Sequence, residues 1–241
     1  MDEKIFDRVE KKYVINKDQK AEIMRVIDKK MSKGKYHKSR VMNIYFDTDN
    51  YDLIIKSIEK PEFKQKLRAR SYGGYDKVFL EIKTKLRGKD VNVGYKRRVL
   101  ITKKDYDNFI KGKIDIITLA KAKIETADDI QIAKEVDYMV KYFDLKPKIL
   151  VYYDRTSFLG EDSLRITFDE NLKYRDKNLK FVRNSKDKHY FYDEKNIIME
   201  IKAAGVMPLW LTKTLSKIEA YPTSFSKIGK IYELIRKEQN V

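Results

Sequence analysis

Apolar and polar residues alternate along several stretches of this chain with the period of two that a β-strand imposes. Between Val78 and Lys85, the residues Phe79, Glu81, Lys83 and Lys85 fall on one face, and Val78, Leu80, Ile82 and Thr84 on the other. Lys96 and Arg98 share a face in the next stretch, opposite Arg97, Val99 and Ile101, so 78–98 reads as two strands joined by a turn containing Gly88. The same alternation places Arg8, Glu10 and Lys12 together in 4–15, and Lys66, Arg68 and Arg70 together in 63–72. It groups Val151, Tyr153 and Arg155 after Pro147, then Arg165, Thr167 and Asp169, then Ile198, Glu200 and Lys202. A strand over 39–47 ends in Asp47, and Gly73–Gly74 marks a hairpin turn.

Helical periodicity fills the remainder. Asn16 is positioned to cap a helix that runs to about Met31, with Ile23, Met24 and Ile27 as its buried stripe. Asp49 or Asn50 starts a short helix that Pro61 closes, and Lys103–Leu145 is helical, most regularly in Ala127–Phe143. Pro208 opens a closing pair of helices, about 208–220 and 224–238, with Leu209, Trp210 and Leu211 packing on the strands. Neither an internal repeat nor a linker divides the chain, so a single α+β domain over 1–241 is expected.

Charge changes this picture. The 241 residues carry a formal net charge of +17, which favours a polyanionic partner. With no cysteine there are no disulfides and no thiolate metal sites. The charged N-terminus has no signal-peptide character, and no apolar run approaches the length of a membrane span. A cytoplasmic protein without a membrane segment is expected.

The cations on the polar strand faces are Lys12, Lys66, Arg68, Arg70, Lys83, Lys85, Lys96, Arg98, Arg155, Arg165 and Lys202, and the carboxylates among them are Glu10, Glu81, Asp169 and Glu200. One such strand is ordinarily a solvated sheet face. Many such strands side by side repel one another on an open sheet, because like charges at paired positions are destabilising. Closed into a barrel they line a basic cavity suited to a chain of phosphates, with Arg forks gripping oxygens and Lys supplying point charge. The carboxylates there suit Mg²⁺ or Mn²⁺, hard cations that take oxygen ligands. His37 and His189 sit in Lys-rich segments and read as exposed bystanders; Arg87, Gly88 and Lys89 read as a solvated turn.

These residues carry a resemblance. RVEKKY at 8–13, YFDT at 45–48, KLRAR at 66–70, FLEIKTK at 79–85, YKRR at 95–98, YDRTSF at 153–158, RITFD at 165–169, IMEIK at 198–202 and SFSKIGKIY at 224–232 follow one another in the order of a known family. The chain resembles the catalytic domain of the vacuolar transporter chaperone (VTC) polyphosphate polymerases, within the triphosphate tunnel metalloenzyme (CYTH-like) superfamily. The resemblance implies an antiparallel, eight-stranded closed β-barrel flanked by helices. It also implies catalytic phosphate-binding roles for Lys12, Arg68, Arg70, Lys83, Lys96, Arg155 and Arg165. Ser226 and Lys227 reach in from the last helix, Arg8, Lys66, Lys85, Arg98 and Lys202 support substrate, and Glu200 is the matching metal ligand, with Glu10, Glu81 and Asp169 as helpers. The wider superfamily opens with Glu-x-Glu-x-Lys; here Arg8 replaces the first carboxylate, as in the polymerase branch.

Three functions are compatible with this reading. The first is transfer of the γ-phosphate of ATP, or another nucleoside triphosphate, to inorganic polyphosphate with Mn²⁺ or Mg²⁺. The second is metal-dependent hydrolysis of tripolyphosphate or nucleoside triphosphates. The third is a polyanion or nucleic-acid binding module without catalysis. Nucleic acid is disfavoured because Tyr13 and Phe168 fall opposite the cations, with Phe79 and Tyr153 as exceptions.

Overall fold

The structure is a computed structural model that describes residues 8–73, 75–89, 92–123, 126–182 and 189–239. The chain divides into two compact units, Met1–Arg40 with Tyr153–Lys173 and Tyr190–Ser226, and Val41–Tyr152 with Tyr174–His189 and Lys227–Val241.

The first unit contains β1 (Arg8–Ile15), α1 (Lys17–Lys30), the second half of β6 (Lys146–Leu159), most of β7 (Arg165–Arg175), β9 (Ile197–Ala204) and α6 (Leu209–Lys217). β9 lies between β1 and β7, antiparallel to both. Asn16 begins α1 through a capping box: its Oδ1 accepts from the Gln19 N–H at 2.8 Å, and the Gln19 Oε1 accepts from the Asn16 N–H at 3.0 Å. Ile23 and Ile27 then bury the apolar stripe of α1 in a core with Tyr13, Phe158, Phe168, Met199 and Leu211. Trp210 packs against this core as expected, whereas Leu209 points outward at 68% exposure because it begins α6 on the solvent side.

The second unit holds most of β2 (Lys38–Asp47), α2 (Asp52–Ile58), β3 (Phe63–Tyr72), β4 (Val78–Arg87) and β5 (Asn92–Ile101). It also holds α3 (Lys103–Ile110), α4 (Ile116–Lys123), α5 (Ala127–Tyr142) and α7 (Lys227–Gln239). β2, β3, β4 and β5 pair in that order, each antiparallel to the next. Their apolar face, with Ile44, Leu67, Leu80, Ile82 and Val99, is covered by Leu119, Ala133 and Val136 of the helices. The long helical stretch is three helices, because a capping side chain restarts the ladder each time. Thr102 accepts from the Asp105 N–H, Asp115 from the Thr118 N–H and Thr126 from the Asp129 N–H. The short helix begins at Asp52 rather than at Asp49 or Asn50. The cap comes from further back, where the buried Asp47 carboxylate accepts from the N–H groups of Leu53 and Ile54, each at 2.9 Å.

Taken as a hydrogen-bonding path, the strands run β1-β9-β7-β6-β2-β3-β4-β5, with the two-residue β8 (His189–Tyr190) beside β7. The strands and their antiparallel pairing are those expected; among the described residues the pairing path ends at β1 and β5, so the expected closed barrel is an overstatement. Alternation fixes which face a residue takes, but says nothing about whether the first and last strands pair. Gly74 of the expected hairpin lies outside the described residues. Among the described residues, no helix is long and apolar enough to cross a membrane.

Candidate functional site: two charged sheet faces

In the second unit, strand parity puts Tyr45, Arg68, Glu81 and Arg98 in one row across β2, β3, β4 and β5. Asn43, Arg70 and Phe79 form the row on one side, and Lys66, Lys83 and Lys96 the row on the other. Glu81 is fully buried at the centre. Its Oε2 accepts from Arg68 Nε at 2.7 Å, and its Oε1 lies 3.4 Å from Lys96 Nζ. Arg70 is 3.9 Å from the same carboxylate and donates to Asn43 Oδ1 at 2.8 Å. Burial alone would raise the Glu81 pKa, but Arg68, Arg70 and Lys96 overcome it and hold the carboxyl down at about 2. Tyr45 is shifted the same way: despite burial, Arg68, Lys66 and Arg70 lower its hydroxyl pKa. Lys96 is lowered, first by burial, then by Arg98 and Arg70, with Glu81 opposing. The guanidinium of Arg98 lies 4.6 Å from the Phe79 ring centroid, so the aromatic exception on this face serves as a cation seat.

The first unit has a different face. Glu10, Lys202 and Arg165 form one row across β1, β9 and β7, and Lys12, Glu200 and Thr167 form the next. Lys202 Nζ lies 3.0 Å from both a Glu10 oxygen and a Glu200 oxygen, so one ammonium joins the two carboxylates. Lys12 Nζ is 3.7 Å from Glu10 and donates to the Phe225 carbonyl at 3.2 Å. Arg155 donates to Asp169 through Nε at 2.6 Å and Nη2 at 2.8 Å, the bidentate fork. Its guanidinium carbon lies 5.3 Å from the ring centroid of Tyr153, the second aromatic exception. Arg165 donates to Ser157 Oγ at 3.2 Å. Burial would raise Glu200, but Lys202 and Arg155 lower it below the ordinary carboxylate range. Lys202 is raised in turn: burial works against its charge, and Glu200 and Glu10 outweigh it.

The expected site residues thus fall into two groups by unit. Lys12, Glu10, Arg155, Arg165, Asp169, Glu200 and Lys202 meet in the first, and Lys66, Arg68, Arg70, Glu81, Lys83, Lys96 and Arg98 share a face in the second, with Lys85 one row further along. The four expected metal carboxylates are not one cluster; among the described residues no three acidic or histidine side chains gather at metal-binding spacing. Glu81 and Asp169 each engage an arginine, and Glu10 and Glu200 are the two brought together. Ser226 is exposed just before α7, and Lys227 is that helix's first residue. The Arg8 backbone pairs with Ala204, and its side chain lies outside the described residues.

His37 is a correction. Its Nδ1 lies 2.8 Å from the Ser157 carbonyl and its ring meets Phe158 edge-on, because the β6 backbone docks there rather than leaving a free loop. His189 is exposed, as expected. Asn43, Tyr45 and Ser157 were missed as site neighbours. The alternation that picked out Arg70 and Arg155 also covers them, but they carry no charge to draw attention.

The fold is shared with proteins of known structure. A solved structure of a putative adenylyl cyclase from Hippeastrum, HpAC1, with a dominant triphosphatase activity, superposes with a TM-score of 0.58 over 96% of each chain at 14% identity. The chain belongs to the VTC domain family, whose sequence pattern matches residues 7–235. It is 28% identical over 144 residues to vacuolar transporter chaperone complex subunit 4 of Schizosaccharomyces pombe, covering 55% of this chain and 20% of that protein. The subunit 4 of Trypanosoma brucei brucei is 27% identical over 155 residues, 56% of this chain and 20% of the relative. The matched region therefore spans about a fifth of the length of these curated relatives.

Proposed function

We propose that this chain is a metal-dependent polyphosphate polymerase domain that transfers the γ-phosphate of ATP to inorganic polyphosphate. The family match over residues 7–235 carries this reading and is compatible with one functional domain. Two faces that concentrate Arg and Lys around buried carboxylates suit a substrate made of repeated phosphates.

Glu10 and Glu200 are the residues to hold Mn²⁺ or Mg²⁺. Their oxygens converge on one Lys202 ammonium, and the neighbouring Thr167 hydroxyl is buried without a hydrogen-bond partner, so three hard oxygen donors fit a divalent cation. Such a cation, when bound, would supply positive charge to the phosphate oxygens. With Glu10 and Glu200 so engaged, Lys202 would supply its ammonium to a phosphate oxygen. Lys12, Arg155 and Arg165 orient the transferred group, with Asp169 holding the Arg155 fork in plane. In the second unit, Arg68, Arg70, Lys83 and Lys96 bind phosphate. A terminal oxygen of the acceptor attacks the γ-phosphorus, the bond from that phosphorus to the β-bridging oxygen breaks, and ADP leaves. The acceptor oxygen is already ionised at neutral pH, so no general base is needed; none of the site rows carries a histidine.

Hydrolysis is the second reading, supported by the triphosphatase activity of the structurally similar HpAC1. The deciding experiment supplies ATP labelled at the γ-phosphate, a short polyphosphate primer and Mn²⁺ or Mg²⁺. Label in lengthened chains, with free phosphate the minor product, is expected. Label released almost wholly as free phosphate with primer in excess transfers the assignment to hydrolase.

A further inference from the structure

On the apolar face of the second unit's sheet, the strands outrun the helices that cover them. The row Ala69–Leu80–Val99 is buried, and in the next, Leu67–Ile82–Arg97, the Arg97 guanidinium reaches Glu135 of α5. Beyond it comes a polar row, Gln65–Thr84–Tyr95, in which Gln65 Nε2 donates to Thr84 Oγ1 at 3.1 Å. The last row turns apolar again. Phe63, Leu86 and Val93 pair side by side at 44%, 38% and 52% exposure, next to Tyr95 at 42%. A single exposed apolar side chain needs no explanation. Three in register, separated from the core by a polar row, form a contiguous patch that does.

The charges around this end are mostly positive. On the opposite face Lys64 pairs with Lys85, and Arg87 follows on β4, paired with Asn92. Lys60 and Lys89 are exposed in the flanking connections, and among the described residues the carboxylates here are those of Glu59 and Glu62. Burial first, and then Lys66, Arg87, Lys85 and Lys60, pull the Lys64 pKa down to about 8, as expected of cations held close together. Some have local partners: Lys64 Nζ donates to the Ser57 carbonyl at 2.9 Å. A charged lipid surface responds to the summed potential of such a group, so these hydrogen bonds do not remove the attraction.

We propose that this end of the sheet is a peripheral membrane-docking tip. Phe63, Leu86 and Val93 enter the interface of an anionic bilayer, Tyr95 lies at headgroup level, and Lys60, Arg87 and Lys89 meet the lipid phosphates. The inference goes beyond phosphoryl transfer and holds whichever phosphate reaction the protein performs. A bilayer is favoured over a protein partner because the apolar row stands exposed at the strand ends, whereas a protein anchor fills an enclosed pocket. A second copy is disfavoured because cations would meet cations, on a chain of formal net charge +17. The basic surround complements anionic lipid.

The chain has no cysteine, so a single Leu86→Cys carries an environment-sensitive fluorophore at one defined place. Vesicles of phosphatidylglycerol mixed with phosphatidylcholine are compared with vesicles of phosphatidylcholine alone, without nucleotide or polyphosphate. The expected result is a blue shift at position 86 with the anionic vesicles and none with the neutral ones. The same label at Lys104→Cys, exposed in α3 beyond the other end of β5, should not shift. Unlabelled F63T/L86T, whose threonines keep strand propensity, should lose about tenfold in affinity for anionic vesicles. Vesicle binding without a shift at position 86, or undiminished in F63T/L86T, reduces the contact to diffuse attraction by a basic surface and overturns the tip. No vesicle binding overturns it as well. So does dimerisation of the wild type that F63T/L86T abolishes, or a shift with a soluble acidic, leucine-rich peptide and none with vesicles; either gives the patch to a protein partner. If Leu86→Cys lowers the melting temperature, Val93→Cys takes the label and the same outcomes decide. The γ-phosphate transfer assay is read separately, so either proposal can fail without the other.

Discussion

The two charged faces are built from the same alternation but differ in how their charge is balanced. In the second unit the buried Glu81 carboxylate is shared by Arg68, Arg70 and Lys96, while Lys83 and Arg98 add further cations to its rows. In the first unit Glu10, Glu200 and Asp169 alternate with Lys12, Lys202 and Arg155, so most cations have an acidic neighbour. Cations in excess suit the holding of a polyanion, since each phosphate relieves repulsion. Near balance suits a site where a ligand cation displaces an internal one and the freed ammonium turns to substrate. On the proposed function the carboxylates have different work: Glu81 supports the fold of its face, and Glu200 the chemistry.

The sharpest test removes one carboxylate from each face. Glu200→Gln should keep the fold and lower phosphoryl transfer by roughly a hundredfold or more, because a hard anionic ligand is lost. Glu81→Gln should instead destabilise the protein by about 3–5 kcal/mol in denaturant unfolding, because the buried Arg68 loses its countercharge. Loss of turnover without loss of stability in both variants would erase the distinction.

A smaller effect separates the faces by pH. Glu81 is held at about 2 against an ordinary 4.5, so its contribution to stability is present above about 4.5 and is lost as pH falls toward about 2. Melting temperature in the wild type should fall through that window, and the fall should be shallower in Glu81→Gln. Identical acid profiles would mean that the Arg68–Glu81 pair contributes nothing to the linkage.

The smallest expected change concerns Lys202. Replacing it with Met removes the ammonium that joins Glu10 and Glu200, so Mn²⁺ binding without nucleotide should tighten by about threefold, read by electron paramagnetic resonance. Tripolyphosphate binding should weaken in the same variant. Unchanged Mn²⁺ affinity would argue against Lys202 as the metal's internal substitute.

Much of this was legible beforehand, for local reasons. The α1 boundary followed from Asn16, whose capping box needs only residues within one turn. The parity of Arg68, Glu81, Arg155 and Glu200 followed from the period of a strand, which each strand sets alone. The start of α2 was misplaced because its cap, Asp47, belongs to the preceding strand.

Sequence by itself determined which side chains share a face, where most helices begin, and that this face is basic, since these depend on neighbours along the chain. Only the tertiary structure decided the partners. Arg155 forks onto Asp169, Lys202 joins Glu10 to Glu200, and Arg68 closes on Glu81. Those choices depend on register between strands far apart in sequence, and a shift of one residue would turn each face over. Register is set by the burial of apolar residues on the opposite face, so the chemistry of the charged face is arranged by packing that carries no charge.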